Sequence, residues 1–323
     1  MTGKSSDSPA CSVVIRAFNE EEHIGRLLEG ILKQTFLDPE IILVDSGSTD
    51  ATVAIALRYP VKVVHIRPED FTFGHSLNRG IATSSGEFLV VASAHVYPVY
   101  PDWLERLLKP FEDGQVAVVY GKQRGGATTR FSEIQVFARW YPEISQSRQG
   151  HPFCNNANAA LRRELWEQHA FDETLSGLED VAWARWAMEQ GYQVTYSAEA
   201  EVIHVHDETL AGIYNRYRRE SMAFKRIFPG ESFHWWDFLR LFTGNVGMDL
   251  WHAARQGSVL AELRGILSFR FMQFWGTYQG FRHSGPLTWQ LRQTFYYPRG
   301  VHSKASAEPR EVNPIQYNDA AQP

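Results

Sequence analysis

A chain of 323 residues, 44% of them hydrophobic and 21% charged, carries enough apolar material for one large core with an appendage. Its formal net charge of -5 excludes a general nucleic-acid binder, because tracking phosphates needs a basic surplus. With only Cys11 and Cys154, a disulfide framework and a structural zinc–thiolate site are also excluded, and a reducing compartment is expected.

Residues 1–10 form a polar N-terminal tail without the apolar heart of a signal peptide, which predicts a cytoplasmic protein. Cys11 to Ile15 then reads as a buried strand, and Ile24, Leu27, Leu28, Ile31 and Leu32 recur at helical spacing after Glu20, Glu21 and Glu22. Those glutamates are expected in the first turn of the helix, where they would repel a phosphate. Ile41 to Val44 predicts a second strand, followed by capping residues Ser46 to Asp50 and a helix to Leu57. Val61 to Ile66 predicts a third strand, His75 to Thr83 a helix, and Glu87 to Ala92 a central strand. Strand and helix alternate, so an α/β fold follows: a mostly parallel sheet with helices on both faces, binding ligands beyond the carboxyl ends of its strands.

Further along, Asp102 to Phe111 and Phe131 to Trp140 predict helices, Val116 to Tyr120 a strand, and Asn155 to Arg162 an extended segment. Glu179 to Gln190 predicts a helix stopped by Gly191, and Gln193 to His206 returns extended. The sheet domain is expected to occupy residues 11–208. Residues 209–300 read as a helical C-terminal region with twelve basic against five acidic side chains and half of the ten tryptophans. Residues 301–323 are polar and predict a disordered tail. Arginine beside tryptophan in 209–300 suits a membrane surface; packing on the catalytic body or a homodimer face uses the same residues.

Neither a dinucleotide fingerprint nor a phosphate-binding P-loop is present. Two other motifs are: Ser12-Val13-Val14-Ile15-Arg16-Ala17-Phe18-Asn19-Glu20-Glu21, and Ile42-Leu43-Val44-Asp45-Ser46-Gly47-Ser48-Thr49-Asp50. At this spacing they resemble the nucleotide-binding half of family-2 glycosyltransferases with the GT-A fold, and the chain is similar to bacterial polysaccharide members of rhamnosyltransferase type over 12–206. The resemblance implies a nucleotide-sugar donor, UDP- or dTDP-linked, with Phe18 stacking on the pyrimidine between Ala17 and Asn19. It also implies Asp45 reading the base edge and Asn78, Arg79, Ser93 and Ala94 touching the nucleotide. The other reading makes Phe18 core and Asp45 the cap of a turn.

Where the family carries D-x-D, this chain reads Ser93-Ala94-His95. The resemblance still implies a divalent metal, Mn²⁺ or Mg²⁺, with His95 and His204 as ligands; imidazoles favour Mn²⁺ over Mg²⁺. His204 and His206 share one face of an extended strand. A metal-independent enzyme, with His95 donating directly to the diphosphate, is the alternative.

Ser176-Gly177-Leu178-Glu179-Asp180-Val181 resembles the family's acidic element, which implies Asp180 as catalytic base with Glu179 beside it. At a helix N-terminus the dipole is expected to keep the base ionised. Asn156 and Asn158 fall where the family lines the donor sugar. The resemblance therefore implies an inverting transfer to a glycan or lipid-linked acceptor hydroxyl, with the lost D-x-D acids motivating a non-catalytic nucleotide-sugar binder as the alternative.

Overall fold

The structure, a computed structural model, describes residues 10–36, 38–282 and 312–317. Eight strands form one sheet: β1 (Cys11–Ala17), β2 (Glu40–Asp45), β3 (Lys62–His65), β4 (Phe88–Ser93), β5 (Val96–Pro98), β6 (Val116–Gly125), β7 (Asn158–Arg162) and β8 (Gln193–His204). Their order across the sheet is β3-β2-β1-β4-β7-β6-β8-β5. The first four pair in parallel, β7 runs antiparallel between β4 and β6, β6 and β8 are parallel, and β5 is an antiparallel edge. Strands β1, β2 and β4 are apolar almost throughout because both of their faces are covered.

Helices α1 (Ile24–Leu32), α2 (Thr52–Ala56) and α4 (Trp103–Leu108) cover one face. On the other lie α3 (Phe73–Ala82), α5 (Phe131–Trp140), α6 (Arg163–Gln168) and α7 (Glu179–Glu189). Alternation along β1 divides its residues accordingly: Val13 and Ile15 enter the first core and Val14 the second. Gly191, at φ 91°, ends α7 as predicted. The short strand β5 and helix α6 carried no pattern in the sequence, since three and six residues are too few to show a period. Glu20 to Glu22 precede α1 instead of opening it: α1 has no acid in its first turn, because Glu20 and Glu21 are tied to the Asp50–Thr52 loop.

The C-terminal region consists of α8 (Leu210–Ile227), α9 (Trp235–Arg255) and α10 (Val259–Arg282), with a core of its own around Phe224, Phe238, Leu241 and Phe274. Gly276 lets α10 ride on α8: a Cβ there would lie 2.4 Å from the Tyr214 carbonyl oxygen. The region is docked on the sheet domain. Arg270, fully buried, is clamped by Asp249 (2.7 and 2.9 Å) and reaches the Ser132 carbonyl oxygen on α5 (3.2 Å). Arg139 of α5 donates to Asn245 of α9 at 2.7 Å. Within the expected disordered tail, residues 312–317 instead have defined contacts: Ile315 N–H donates to the Val99 carbonyl (2.9 Å) and the Tyr317 hydroxyl to that of Pro98. They give the edge strand β5 and its continuation backbone and hydroxyl partners. Residues 1–9, 283–311 and 318–323 lie outside the described residues.

Candidate active site

Because β1, β2, β4, β6 and β8 point the same way and β7 the opposite way, their tips and the start of β7 form one edge of the sheet. The two motif loops meet there. Asn19, at φ 55°, accepts the Thr49 N–H on its side chain (2.8 Å), and its own N–H donates to Ser48 Oγ (2.9 Å). Phe18 stands beside them, 54% exposed and free to stack on a planar ligand. Asp45 is buried at the tip of β2, where its carboxylate accepts the N–H groups of Gly47 and Ser48 and faces His65 Nδ1 at 3.1 Å.

Glu179 and Asp180 open α7, behind Leu178 in a left-handed conformation (φ 57°) that costs energy in a branched residue. Asp180 Oδ2 accepts the Asn156 N–H (2.9 Å), Oδ1 accepts the Val181 N–H (2.8 Å), and the Asn156 side-chain amide donates to Glu179 Oε1 (3.3 Å). These bonds favour the carboxylate form. Burial and the adjacent Glu179 charge outweigh them and raise the Asp180 carboxyl to about 7, with Arg16 pulling the other way. The expectation of a firmly ionised base is therefore corrected: desolvation exceeds the dipole of a helix start.

Asp180 lines a cavity of about 160 Å³ together with Cys154, His204, His206, Arg216 and Tyr217. His95 stacks on His204 with ring centroids 5.0 Å apart, and His204 meets His206 at 4.1 Å. A ring nitrogen of each histidine lies within 4.8 Å of those of the other two. Each Nδ1 already has a partner: Glu20 for His95 (2.8 Å), Gln123 for His204 (2.7 Å) and Glu133 for His206 (2.7 Å). Metal-binding imidazoles are oriented through their second nitrogen in this way. His204 Nε2 is buried with no hydrogen-bond partner, and burial together with the neighbouring imidazoles and Arg216 holds His204 and His206 well below the ordinary histidine range, hence neutral and able to ligate. The residues fit a borderline divalent metal.

Asp180, Glu179, Asn156, His95 and His204 thus come together, with Ala17, Ser93 and Ala94 on the adjoining tips of β1 and β4. Asp45 accepts the N–H groups of the turn that follows it. Two other expectations, for Asn78 and Asn158, change. Asn78 is a strut: its amide donates to the Phe171 carbonyl and Glu173, and its oxygen accepts from Trp166 Nε1 and the Phe171 N–H, all between 2.9 and 3.1 Å. Arg79 is exposed beside Glu173. Asn158 is fully buried away from the cleft, bonded to Trp103 and to the carbonyls of Lys122 and Ala200, because its place on β7 faces the core. Sequence reasoning missed Glu20, Gln123, Arg16, Arg216 and Arg219 as site residues. Glu20 stood inside the first motif, whereas nothing local marks the arginines of α8 as parts of a cleft built by residues far away in the chain.

Residues 12–169 match the family described as Glycosyl transferase family 2. The chain is 30% identical over 196 residues to an O-antigen chain rhamnosyltransferase of Salmonella anatum, covering 57% of this chain and 62% of that relative, less than two thirds of its length. It is 28% identical over 220 residues to an O-antigen chain rhamnosyltransferase of Salmonella typhimurium, covering 64% and 69%. Among solved structures, a mannosyltransferase from Pyrobaculum calidifontis in complex with GDP-mannose and Mn²⁺ superposes with a TM-score of 0.56 at 21% identity, covering 85% of each chain. That likeness shows a shared fold.

Proposed function

We propose, from the match of residues 12–169 to glycosyl transferase family 2, that the chain is an inverting glycosyltransferase of surface-polysaccharide synthesis. Its donor is a UDP- or dTDP-linked sugar of the hexose or deoxyhexose class, and its acceptor a hydroxyl of a glycan, carried on a lipid. The rhamnosyltransferase relatives support a deoxyhexose. The observation that carries the reading is the placement of Asp180, His204 and His206 on one cavity, with His95 stacked on His204 and bonded to Glu20 of the loop that presents Phe18.

The reaction is a single displacement. Asp180 accepts the acceptor's hydroxyl proton, the oxygen attacks the anomeric carbon from the face opposite the nucleotide, and the bond from that carbon to the diphosphate oxygen breaks with inversion. Asn156 fixes both acids, and the rigid strand tips position donor and acceptor, which supplies much of the rate. His95, His204 and His206 would hold a divalent metal, Mn²⁺ in preference to Mg²⁺, whose charge counters that of the diphosphate. Trp236 and Leu260, 76% and 93% exposed, and Trp251 lie on the outer surface of α9 and α10 with exposed Arg255 and Arg264. We assign this surface to the cytoplasmic face of a membrane, where a lipid-linked acceptor resides. Among the described residues no helix is long and apolar enough to cross a bilayer.

Asp180→Ala should retain donor binding and lose turnover by about 100- to 10,000-fold. The checks are calorimetric titration with UDP- and dTDP-sugars, transfer assayed with lipid-linked acceptor, and proton NMR of the product anomer. Turnover at the wild-type rate would remove Asp180 from the role of base, and a retained anomer would remove the single displacement.

A further inference from the structure

Two guanidinium groups beside the Glu179–Asp180 pair have no bonded counter-ion among the described residues. Arg16, at the register position opposite Ser93, lies over the ring of Phe73 with Cζ 4.6 Å from the centroid. Arg219 of α8 lies over the same ring at the same distance. Both Nε atoms are buried without a hydrogen-bond partner, and among the described residues neither guanidinium forms an ion pair. Arg216, one turn earlier on α8, is by contrast paired with both Glu133 and Glu208. Glu179 and Asp180 are within electrostatic reach of Arg16, but their bonded oxygens are taken by Asn156 and Val181. A half-buried cation without a bonded counter-ion is disfavoured, and a planar guanidinium fork matches the oxygens of a phosphate.

The location says where such a phosphate would sit. Arg16 is held beside the strand tip that carries Ser93-Ala94-His95, and Arg219 lies against the loop leading into Glu179: a Cβ on Gly177 would be 3.6 Å from its Nε. We propose that Arg16 and Arg219, both stacked on Phe73, form a phosphate clamp between the nucleotide loops and the base, with one jaw supplied by the C-terminal helical region. The proposal rests on the glycosyltransferase reading for the origin of the phosphate, either the donor's diphosphate or a phosphate of the acceptor. Its existence is tested without turnover.

Inorganic pyrophosphate, UDP and uridine are titrated calorimetrically into the full chain in chelator, for wild type, Arg219→Gln, Arg219→Lys and Arg16→Gln, alongside thermal melts of each protein without ligand. Pyrophosphate should bind wild type and weaken about tenfold to a hundredfold in both Gln variants, with partial rescue by Arg219→Lys. The ligand-free Arg219→Gln protein should melt no lower than wild type, because an uncompensated charge has been removed. If the phosphate is the donor's, UDP weakens by the same factor while uridine does not. If it is the acceptor's, UDP is unaffected, and pyrophosphate binds UDP-saturated wild type but not UDP-saturated Arg219→Gln. Absence of pyrophosphate binding to wild type, or equal binding by the Gln variants, overturns the clamp. So does a melting point several degrees lower in Arg219→Gln with anion affinity unchanged, which makes the pair a counter-charge for the two acids. A chain that binds pyrophosphate through these arginines and transfers no sugar keeps the clamp and refutes the function; sugar transfer with indifference to pyrophosphate does the reverse.

Discussion

At Asp180 two opposing effects meet: two backbone N–H groups stabilise the anion, while burial and Glu179 destabilise it. Burial and Glu179 hold the carboxyl well above the ordinary carboxylate range, at about 7, so its proton-accepting form is lost on acidification. kcat/KM should therefore rise with pH through about 7 and fall tenfold per pH unit below it. Glu179→Gln removes a charge that raises the Asp180 pKa, so it should move this limb to lower pH; a pH–rate profile of both proteins reads the shift. An unmoved limb would show that another group governs it.

Elements are held at the site by side chains that the chemistry does not consume. Asn78 joins α3 to the segment 166–173 through four hydrogen bonds, a typical use of a carboxamide that can donate and accept together. Asn78→Ala should cost about 2–3 kcal/mol of stability in urea unfolding and leave nucleoside affinity within about a factor of two, since each bond is worth near 1 kcal/mol and none reaches the cleft. A large loss of UDP affinity with stability intact would restore Asn78 to the nucleotide site. Asn156 works otherwise: one residue positions both acids, so its element, the approach to β7, is bound to the start of α7.

The molecule as a whole is a sheet domain whose open edge is walled by α8 and α10. Arg216, Tyr217, Glu220 and Gln273 line the same cavity as Asp180, so the C-terminal region is part of the site. Its outer surface, with Trp236, Trp251 and Leu260, faces away from that core. Cosedimentation of the full chain with vesicles of one-third anionic lipid should occur at low salt and weaken severalfold in a Trp236→Ala, Trp251→Ala double variant, because interfacial tryptophans and arginines both contribute. Equal sedimentation of wild type and variant would remove this surface from membrane binding.

Much of the fold was legible in the sequence because short apolar runs and helical periods are local properties: β1, β2, α5 and α7 fall within two residues of their predicted bounds. The motifs ending β1 and β2 and the acids opening α7 were legible for the same reason, each being contiguous. Only the tertiary structure decided which side chains those elements share. It turned Asn78 and Asn158 inward, joined His206 to His95 and His204, brought Arg219 from α8 to Phe73, and buried Asp180 deeply enough to shift its proton. Charge state and ligand set depend on distances between groups many residues apart and on the water that packing removes, and neither is written in any local stretch of chain.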